Sequence, residues 1–281
     1  MHNLKRITLT QNIRTNPSYT YFSVALSTGT HPVANWPVSG RRLILIADGQ
    51  SNFAQYFDSV YTITKLWKQF EFLSYDGTLR HLKEPIFGPG SGQLVGSLHS
   101  KLGEDLIDAG LADYVIWVPV AIGGTNIYQW ASKGEYTHNL ISAVNRLKYL
   151  GLEPSAILTM RGETDCFAGT SQVDYYNRAL EQMNTIRALG CTCPWFIARE
   201  TYFKTGGVAT VSAPVIAAQN QLIASATNVY AGPELDDLGD PYRFEITNSG
   251  GDITHFNGGL GRNTVSSRWV TALEANPPAH T

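Results

Sequence analysis

The sequence is short of charge and of long apolar runs. Only 16% of its 281 residues are charged, and the formal net charge is −2. Binding of nucleic acid or of an anionic membrane favours clustered Lys and Arg, and the sequence contains no such cluster. No apolar run approaches the roughly 20 residues that a membrane-spanning helix needs. We therefore expect a soluble protein whose partners are neither nucleic acids nor membranes.

Cysteine is also scarce, with three residues in the chain. Cys191 and Cys193 are separated by a single residue, which makes a bridge between them sterically awkward, whereas a bridge from Cys166 to either one stays open. A zinc site on this pair would need two more soft ligands at suitable spacing, and none lies nearby. We expect no metal centre.

The N-terminus lacks the apolar segment of a signal peptide, because residues 1–20 are polar. The compartment therefore stays open, and extracellular or virion-associated locations are both compatible with the sequence. Residues 1–40 are rich in Thr, Ser, Asn and Pro, and we expect them to form an arm or a small β appendage. Such an arm could support homo-oligomerisation or attach the protein to a larger assembly. The remaining residues, 41–281, are long enough for one catalytic domain.

From residue 42 onward, apolar runs alternate with stretches of helical period. Four runs are typical of strands buried on both faces: residues 43–47, 114–121, 156–160 and 195–198. Five stretches have the period of a helix: residues 94–109, 140–150, 173–189, 215–227 and 258–273. Parallel strands need crossover helices, and those helices need a sheet face to bury. The predicted fold is a three-layer α/β/α sandwich with a central parallel sheet, of the flavodoxin-like type.

The first candidate motif, Asp-Gly-Gln-Ser-Asn at residues 48–52, follows the first predicted strand. In parallel α/β sheets, ligands bind beyond the carboxyl ends of the strands, so this position is favourable for a site. Gly49 permits a tight turn, after which the Ser51 hydroxyl could point into the crevice with its amide free to donate. Taken alone, the segment favours a helix-capping role for Ser51.

The second motif is a glycine pair, Gly123 and Gly124, followed by Thr125 after the strand at 114–121. Glycines let the backbone approach a ligand closely, so an amide of the pair could stabilise an oxyanion beside the Ser51 amide. An ordinary turn or a phosphate cradle would explain the pair equally well.

Two further motifs add charged groups. Arg-Gly-Glu-Thr-Asp at residues 161–165 follows the strand at 156–160, where a solvated loop is the alternative. Asp252 and His255 precede the last predicted helix and are three residues apart, so Asp252 could orient the imidazole that takes a proton from Ser51. The conjunction of four motifs in this order favours one catalytic site over four unrelated loops.

With these blocks the sequence resembles the SGNH hydrolase superfamily, and within it the sialate O-acetylesterase-like and acetylxylan-esterase-like carbohydrate esterases. Residues 49–52 resemble the nucleophile block, and residues 121–127 with Trp130 resemble the oxyanion block. Residues 162–165 resemble the Gly-Glu-Ser-Asp form of the third block, and residues 252–255 match the closing Asp-x-x-His. The resemblance begins near residue 42 and leaves the first 40 residues aside.

The resemblance implies a carboxylic ester hydrolase that removes O-acetyl groups from a carbohydrate, with no metal or organic cofactor. Ser51, His255 and Asp252 would form the triad, and the amides of Ser51 and of Gly123 or Gly124 would bind the oxyanion. An acetylated glycan is the expected partner. The other motif residues are expected to contact substrate: Gln50, Asn52, Thr125, Trp130, Glu163 and Asp165.

One departure from the family pattern affects the oxyanion site. The third block of relatives usually offers an amide side chain, where this sequence has Arg161 and Thr164. Arg161 could donate instead or bind an acidic sugar, or the third donor is missing, at a cost of roughly 10²-fold or more in rate.

Two alternatives remain. The same fold could serve a carbohydrate-binding or attachment protein with weak or no catalysis, which the altered third block would explain. A nucleotide- or flavin-binding protein could use the glycines at residues 88–92 as a phosphate cradle, although no convincing strand precedes them and no Gly-x-Gly-x-x-Gly follows the first strand.

Overall fold

The computed structural model describes residues 31–88, 96–244 and 253–281. Most of the predicted arm, part of the glycine run at 88–92, and Asp252 lie outside these described residues. The strands are β1 (Arg42–Gly49), β2 (Gln69–Leu73), β3 (Thr78–His81), β4 (Tyr114–Pro119), β5 (Ala156–Met160), β6 (Trp195–Arg199), β7 (Phe203–Thr205), β8 (Val208–Thr210), β9 (Val229–Glu234), β10 (Arg243–Phe244) and β11 (His255–Phe256). The helices are α1 (His99–Asp108), α2 (Thr137–Tyr149), α3 (Glu163–Ala168), α4 (Gln172–Ala188), α5 (Ala213–Ser225) and α6 (Leu260–Ala275).

Seven strands form one sheet in the order β3-β2-β4-β1-β5-β6-β9. The central strand, β1, pairs in parallel with β4 on one side and β5 on the other. The pairs β2–β4, β5–β6 and β6–β9 are also parallel, whereas β3 runs antiparallel to β2 at one edge. The predicted α/β/α sandwich is confirmed, with the correction that its sheet is mixed. The carboxyl ends of β1, β4 and β5 lie side by side, which is where ligands bind in such sheets.

Alternating side chains of β1 supply the two apolar cores, one on each face of the sheet. Leu43 and Leu45 pack in the core that includes Trp269 of α6, whereas Ile44 and Ile46 pack in the core of α2, α4 and α5. All four β1 side chains are at most 1% exposed. Each such side chain contributes roughly 1.5–3 kcal/mol by burial, so this strand gives firm support to the loop that follows it.

The structure shifts some predicted bounds and adds elements. The helix predicted at 94–109 begins at His99 among the described residues, and the strand predicted at 114–121 ends at Pro119. The sequence patterns missed β2, β3, β9 and the short helix α3. Residues 32–34, within the described part of the predicted arm, run beside β3, where the Ala34 amide donates to the Leu79 carbonyl at 2.8 Å.

Three smaller points concern the cysteines, a metal site and the helices. Cys166, Cys191 and Cys193 are free thiols, so the bridge left open for Cys166 is not formed. The described part of the chain has no group of three or more His, Cys, Asp or Glu placed to hold a metal ion. Within the same residues, none of the helices combines the length and apolarity needed to cross a membrane.

Candidate active site

The turn that bears Ser51 is fixed against the end of β5 by its backbone. The Gln50 amide donates to the Met160 carbonyl at 2.9 Å. Gly49 has φ +146°, and a Cβ at this position would lie 2.0 Å from the Met160 oxygen, so only glycine fits. Ser51 then opens a single 3-10 turn, Ser51–Phe53, whose N-cap position belongs to Gln50. The helix-capping role considered for Ser51 is therefore not the one it has.

The loop that bears the glycine pair is bonded to the end of β1. The Ile122 amide donates to the Gly49 carbonyl at 3.1 Å, which places Gly123 beside the turn that bears Ser51. Gly124 has φ +73°, the left-handed region that favours glycine. The structure thus brings together the first two predicted motifs, while the donation of their amides to an oxyanion stays a prediction.

Arg161 points into the protein interior. Its Nη2 lies 2.7 Å from Asp48 Oδ1, its Nη1 lies 3.2 Å from Gln182 Oε1, and its guanidinium carbon lies 4.6 Å from the centre of the Trp130 ring. The side chain is 1% exposed. Both terminal nitrogens have interior partners and the side chain is buried, so the predicted oxyanion or sugar contact of Arg161 is corrected to a structural ion pair. The Thr159 hydroxyl donates to Asp48 Oδ2 at 3.0 Å, and we call Asp48, Thr159, Arg161 and Gln182 the Asp48 cluster.

The other third-block candidate, Thr164, lies closer to the nucleophile. It is partly exposed, and its amide donates to Gln50 Oε1 at 3.3 Å, one residue before Ser51. Thr164 therefore stays a prediction for the oxyanion site, and Gln50 stays one for substrate contact.

Three of the expected substrate contacts instead support the loops. Trp130 is fully buried, and its Nε1 donates to Thr125 Oγ1 at 2.9 Å. Asp165 accepts the Ile127 amide at 3.1 Å and the Thr170 hydroxyl at 2.9 Å, and burial raises its pKa to about 6. A fully buried indole cannot stack on a sugar, so the substrate contact predicted for Trp130 is wrong. Asp165 ties the segment after the glycine pair to α3, whereas Thr125 donates to the Ile122 carbonyl at 2.8 Å and supports the glycine loop from within.

Asn52 joins the turn that bears Ser51 to the strand that bears His255. Its Oδ1 accepts the Phe256 amide at 3.2 Å, and its Nδ2 lies 3.4 Å from the Thr254 carbonyl. These are the two peptide groups that flank His255. The same Nδ2 lies 2.7 Å from Glu163 Oε1 and 2.7 Å from Glu200 Oε1. Asn52 and Glu163 were expected to contact substrate, and the structure gives them this supporting role.

Arg243 holds the same segment from the other side. Its Nη1 donates to the Thr254 carbonyl, and its Nε donates to the Leu238 carbonyl at 2.6 Å. The guanidinium carbon lies between two rings, 4.2 Å from the centre of Tyr202 and 4.0 Å from that of Phe256. We call Asn52, Glu163, Glu200 and Arg243 the Asn52 cluster.

The two glutamates of the Asn52 cluster are unusually weak acids. Burial raises the pKa of Glu163 to about 7. Burial and the nearby Glu163 charge raise the pKa of Glu200 well above its ordinary value. Both side chains are at most 1% exposed and accept from the same Asn52 amide. The pair therefore retains a proton at a pH where exposed carboxyl groups are ionised.

The Tyr56 ring packs against two parts of the predicted catalytic site, the His255 imidazole and the glycine loop. Its ring stacks on the His255 imidazole with 4.6 Å between centroids and 15° between planes. A Cβ added to Gly123 would lie 2.6 Å from Tyr56 Cε2, so the ring also packs on the glycine backbone. The sequence analysis missed Tyr56, together with Glu200 and Arg243. None of the three lies within a motif, so no local pattern identifies them.

A family model described as carbohydrate esterase, sialic acid-specific acetylesterase, matches residues 42–190, just over half of the chain. The chain belongs to this family. The resemblance seen in the motifs to sialate O-acetylesterase-like carbohydrate esterases is thereby confirmed. The matched region of the carbohydrate esterase family contains the first three motifs and ends before His255.

Solved structures agree on the fold of this carbohydrate esterase family member. A protein of Arabidopsis thaliana is 17% identical with a TM-score of 0.59, and the match covers 85% of this chain and 99% of that one. A carbohydrate acetylesterase from Xanthomonas citri is 15% identical with a TM-score of 0.56, covering 83% of this chain and 56% of that one. NanS is 12% identical with a TM-score of 0.55, covering 85% and 98%. A search of curated proteins found no significant match.

Proposed function

We propose that the protein is a serine esterase that removes acetyl groups from a carbohydrate, with Ser51 as nucleophile and His255 as general base. The observation that carries the proposal is the pair of Asn52 contacts to the peptide groups on either side of His255. Asn52 follows Ser51 directly, so residues more than 200 positions apart are drawn to one place. Such convergence at the carboxyl ends of β1 and β4 is the expected location of a site in this fold.

In the proposed mechanism, Ser51 Oγ attacks the ester carbonyl while His255 takes its proton. The negative oxygen is bound by the amides of Ser51 and of Gly123 or Gly124, with Thr164 as a further candidate donor. His255 then protonates the departing sugar oxygen, which leaves an acetylated Ser51. A water molecule, deprotonated by the same imidazole, releases acetate and restores the serine.

Asp252 is proposed to hold the imidazole in the correct tautomer, although it lies outside the described residues. Asp252→Asn should then lower kcat by roughly 10²–10⁴-fold without unfolding the protein. Full activity of this variant would remove Asp252 from the mechanism and leave a Ser–His pair.

The proposal of acetyl as the acyl group and of a carbohydrate as the substrate rests on the family. Its description names acetylesterases, and the structural neighbour from Xanthomonas citri is described as a carbohydrate acetylesterase. The choice of a serine mechanism rests on the residues themselves, since Ser51 and the glycine loop meet at the end of β1.

The test compares wild type with Ser51→Ala and His255→Ala on p-nitrophenyl acetate and on a panel of acetylated glycans, with released acetate as the readout. Each variant should lose at least roughly 10³-fold in kcat. Ser267→Ala and His280→Ala replace exposed residues of the same types and should match wild type. Equal inactivity of wild type and Ser51→Ala on all esters, with a glycan still bound, would favour the carbohydrate-binding alternative.

A further inference from the structure

A groove lies beside the candidate active site, between α2 and the turn that joins β2 to β3. Its volume is about 520 Å³, within the range of roughly 300–1,000 Å³ that small-molecule sites occupy. We call it the α2 groove. The side chains that matter for its chemistry are Tyr75, Tyr136, His138, Asn139, Asn145 and Tyr149.

The α2 groove reaches the candidate active site through Ile122. This residue lines the groove, and its amide donates to the Gly49 carbonyl at 3.1 Å. The next residue, Gly123, is a proposed oxyanion donor. A molecule in the groove would therefore extend from the place where the ester carbonyl is expected.

The groove face of α2 is separate from the face that packs on the sheet. His138, Ser142, Asn145 and Tyr149 follow at intervals of four, three and four residues, which puts them on one side of the helix. All four are exposed, and Tyr149 is 84% exposed. Core packing does not account for a tyrosine in such a position, because the buried residues of α2 lie on the opposite side.

The lining combines aromatic rings with neutral polar groups. Tyrosine offers a flat apolar face and a hydroxyl, and asparagine offers both a donor and an acceptor. Among the described lining side chains, Arg146 alone carries a permanent charge, and its Nε already donates to the Ser74 carbonyl at 3.3 Å. This chemistry fits a ring with apolar C–H faces and many hydroxyls, which is a pyranose.

We propose that the α2 groove binds the sugar rings that neighbour the acetylated residue of the substrate. The inference rests on the proposed function and extends it from an ester to an oligosaccharide. Binding energy from these remote rings positions the ester without taking part in the chemistry.

The test uses Tyr149→Ala and Asn145→Ala with three substrates: p-nitrophenyl acetate, an acetylated xylo-oligosaccharide and an O-acetylated sialyl-oligosaccharide. On the oligosaccharide that wild type prefers, KM should rise roughly three- to tenfold in Tyr149→Ala, as expected for loss of an aromatic contact. Asn145→Ala should change KM in the same direction. Neither variant should change the hydrolysis of p-nitrophenyl acetate, because this ester does not reach the groove.

Trp67→Ala is the matched control. Trp67 is an exposed aromatic residue, 74% accessible, outside the groove lining. Oligosaccharide KM values that are equal in wild type, Tyr149→Ala and Asn145→Ala would overturn the inference. So would a wild type that hydrolyses p-nitrophenyl acetate but neither oligosaccharide ester. Failure of the proposed function would give a different result from failure of the groove inference. In that case p-nitrophenyl acetate hydrolysis would survive in Ser51→Ala or be absent from wild type.

Discussion

Two buried polar clusters flank the end of β1, and they are built differently. In the Asp48 cluster, one carboxylate meets one guanidinium directly, with Asp48 Oδ1 and Arg161 Nη2 at 2.7 Å. In the Asn52 cluster, two glutamates share one amide, and Arg243 gives its bonds to backbone carbonyls. The first cluster is balanced in charge, whereas the second has more acids than cations.

The difference suggests that the two clusters have different roles. The Asp48 cluster joins the end of β1 to the residue that follows β5 through a buried ion pair, so we expect it to act as a scaffold for these two strand ends. The Asn52 cluster touches the peptide groups on both sides of His255 and contains Glu163, whose pKa is raised to about 7 by burial. Changes in the first cluster should therefore affect stability most, and changes in the second should affect activity and its pH dependence.

The largest effect is expected from breaking the balanced pair. Arg161→Met leaves the Asp48 carboxylate buried without its cation, which should lower the free energy of unfolding by about 3–5 kcal/mol. Urea denaturation measures the change. Arg178→Met, which removes an exposed pair with Glu181, should cost at most about 0.5 kcal/mol. A loss below about 1 kcal/mol in Arg161→Met would contradict the scaffold role.

Removing the centre of the second cluster should act on catalysis. Asn52→Ala frees the segment that bears His255, so kcat should fall roughly ten- to hundredfold through misalignment of the base. KM for p-nitrophenyl acetate should change little. Asn263→Ala, an exposed change on α6, is the control. A folded Asn52→Ala protein with the kcat of wild type would sink the idea that Asn52 positions the base.

The acid-rich cluster also predicts a pH dependence of stability. Because burial raises the pKa of Glu163 from 4.5 to about 7, the folded protein binds more protons than the unfolded chain between these values. The free energy of unfolding should therefore fall as pH rises through this window, on the order of 1–3 kcal/mol. Glu163→Gln should flatten the decline in denaturation series from pH 5 to 8. Glu181→Gln, an exposed change, should keep the slope of wild type, and an unchanged slope in Glu163→Gln would refute the prediction.

The smallest effect concerns Tyr56. Tyr56→Phe keeps the ring on His255 and on Gly123, so kcat should stay within about threefold of wild type. Tyr56→Ala removes both contacts and should lower kcat further. Steady-state kinetics on p-nitrophenyl acetate compare the two. A larger loss in Tyr56→Phe than in Tyr56→Ala would show that the hydroxyl matters more than the stacked ring.

The central strands were predictable because they are buried on both faces and read as apolar runs. β2 was not, because Gln69 and Glu71 lie fully buried within it and interrupt the run. A buried glutamate is tolerated there because Glu71 accepts from His31 and from the Phe87 amide. Such partners are distant in sequence, so no local pattern indicates them.

In the candidate site, too, local sequence patterns do not indicate partners that are distant in sequence. Two of the predicted motifs do lie together, because Ser51 follows β1 and the glycine loop after β4 bonds to the end of β1; their catalytic roles stay predictions. The predictions for Arg161 and Trp130 were wrong because both side chains are buried, which their motifs do not indicate. Arg161 turns inward to Asp48, and the Trp130 ring lies against the Arg161 guanidinium. Arg161 meets Asp48 across 113 positions, and Asn52 meets Phe256 across 204. Polar residues at strand ends therefore predict which loops meet better than they predict which side chains are buried.

His255 lies on β11, which pairs with β10 and is separate from the seven-stranded sheet. Ser51 is fixed to that sheet by the chain itself, whereas His255 is joined to it through side-chain contacts that close a loop of about 200 residues. Loops of this length close late, because their entropy cost precedes any gain in contacts. A refolding chain should thus regain the fluorescence of Trp117 and Trp195 in the core before it regains hydrolysis. The delay would measure the time between formation of the seven-stranded sheet and docking of the segment that bears His255.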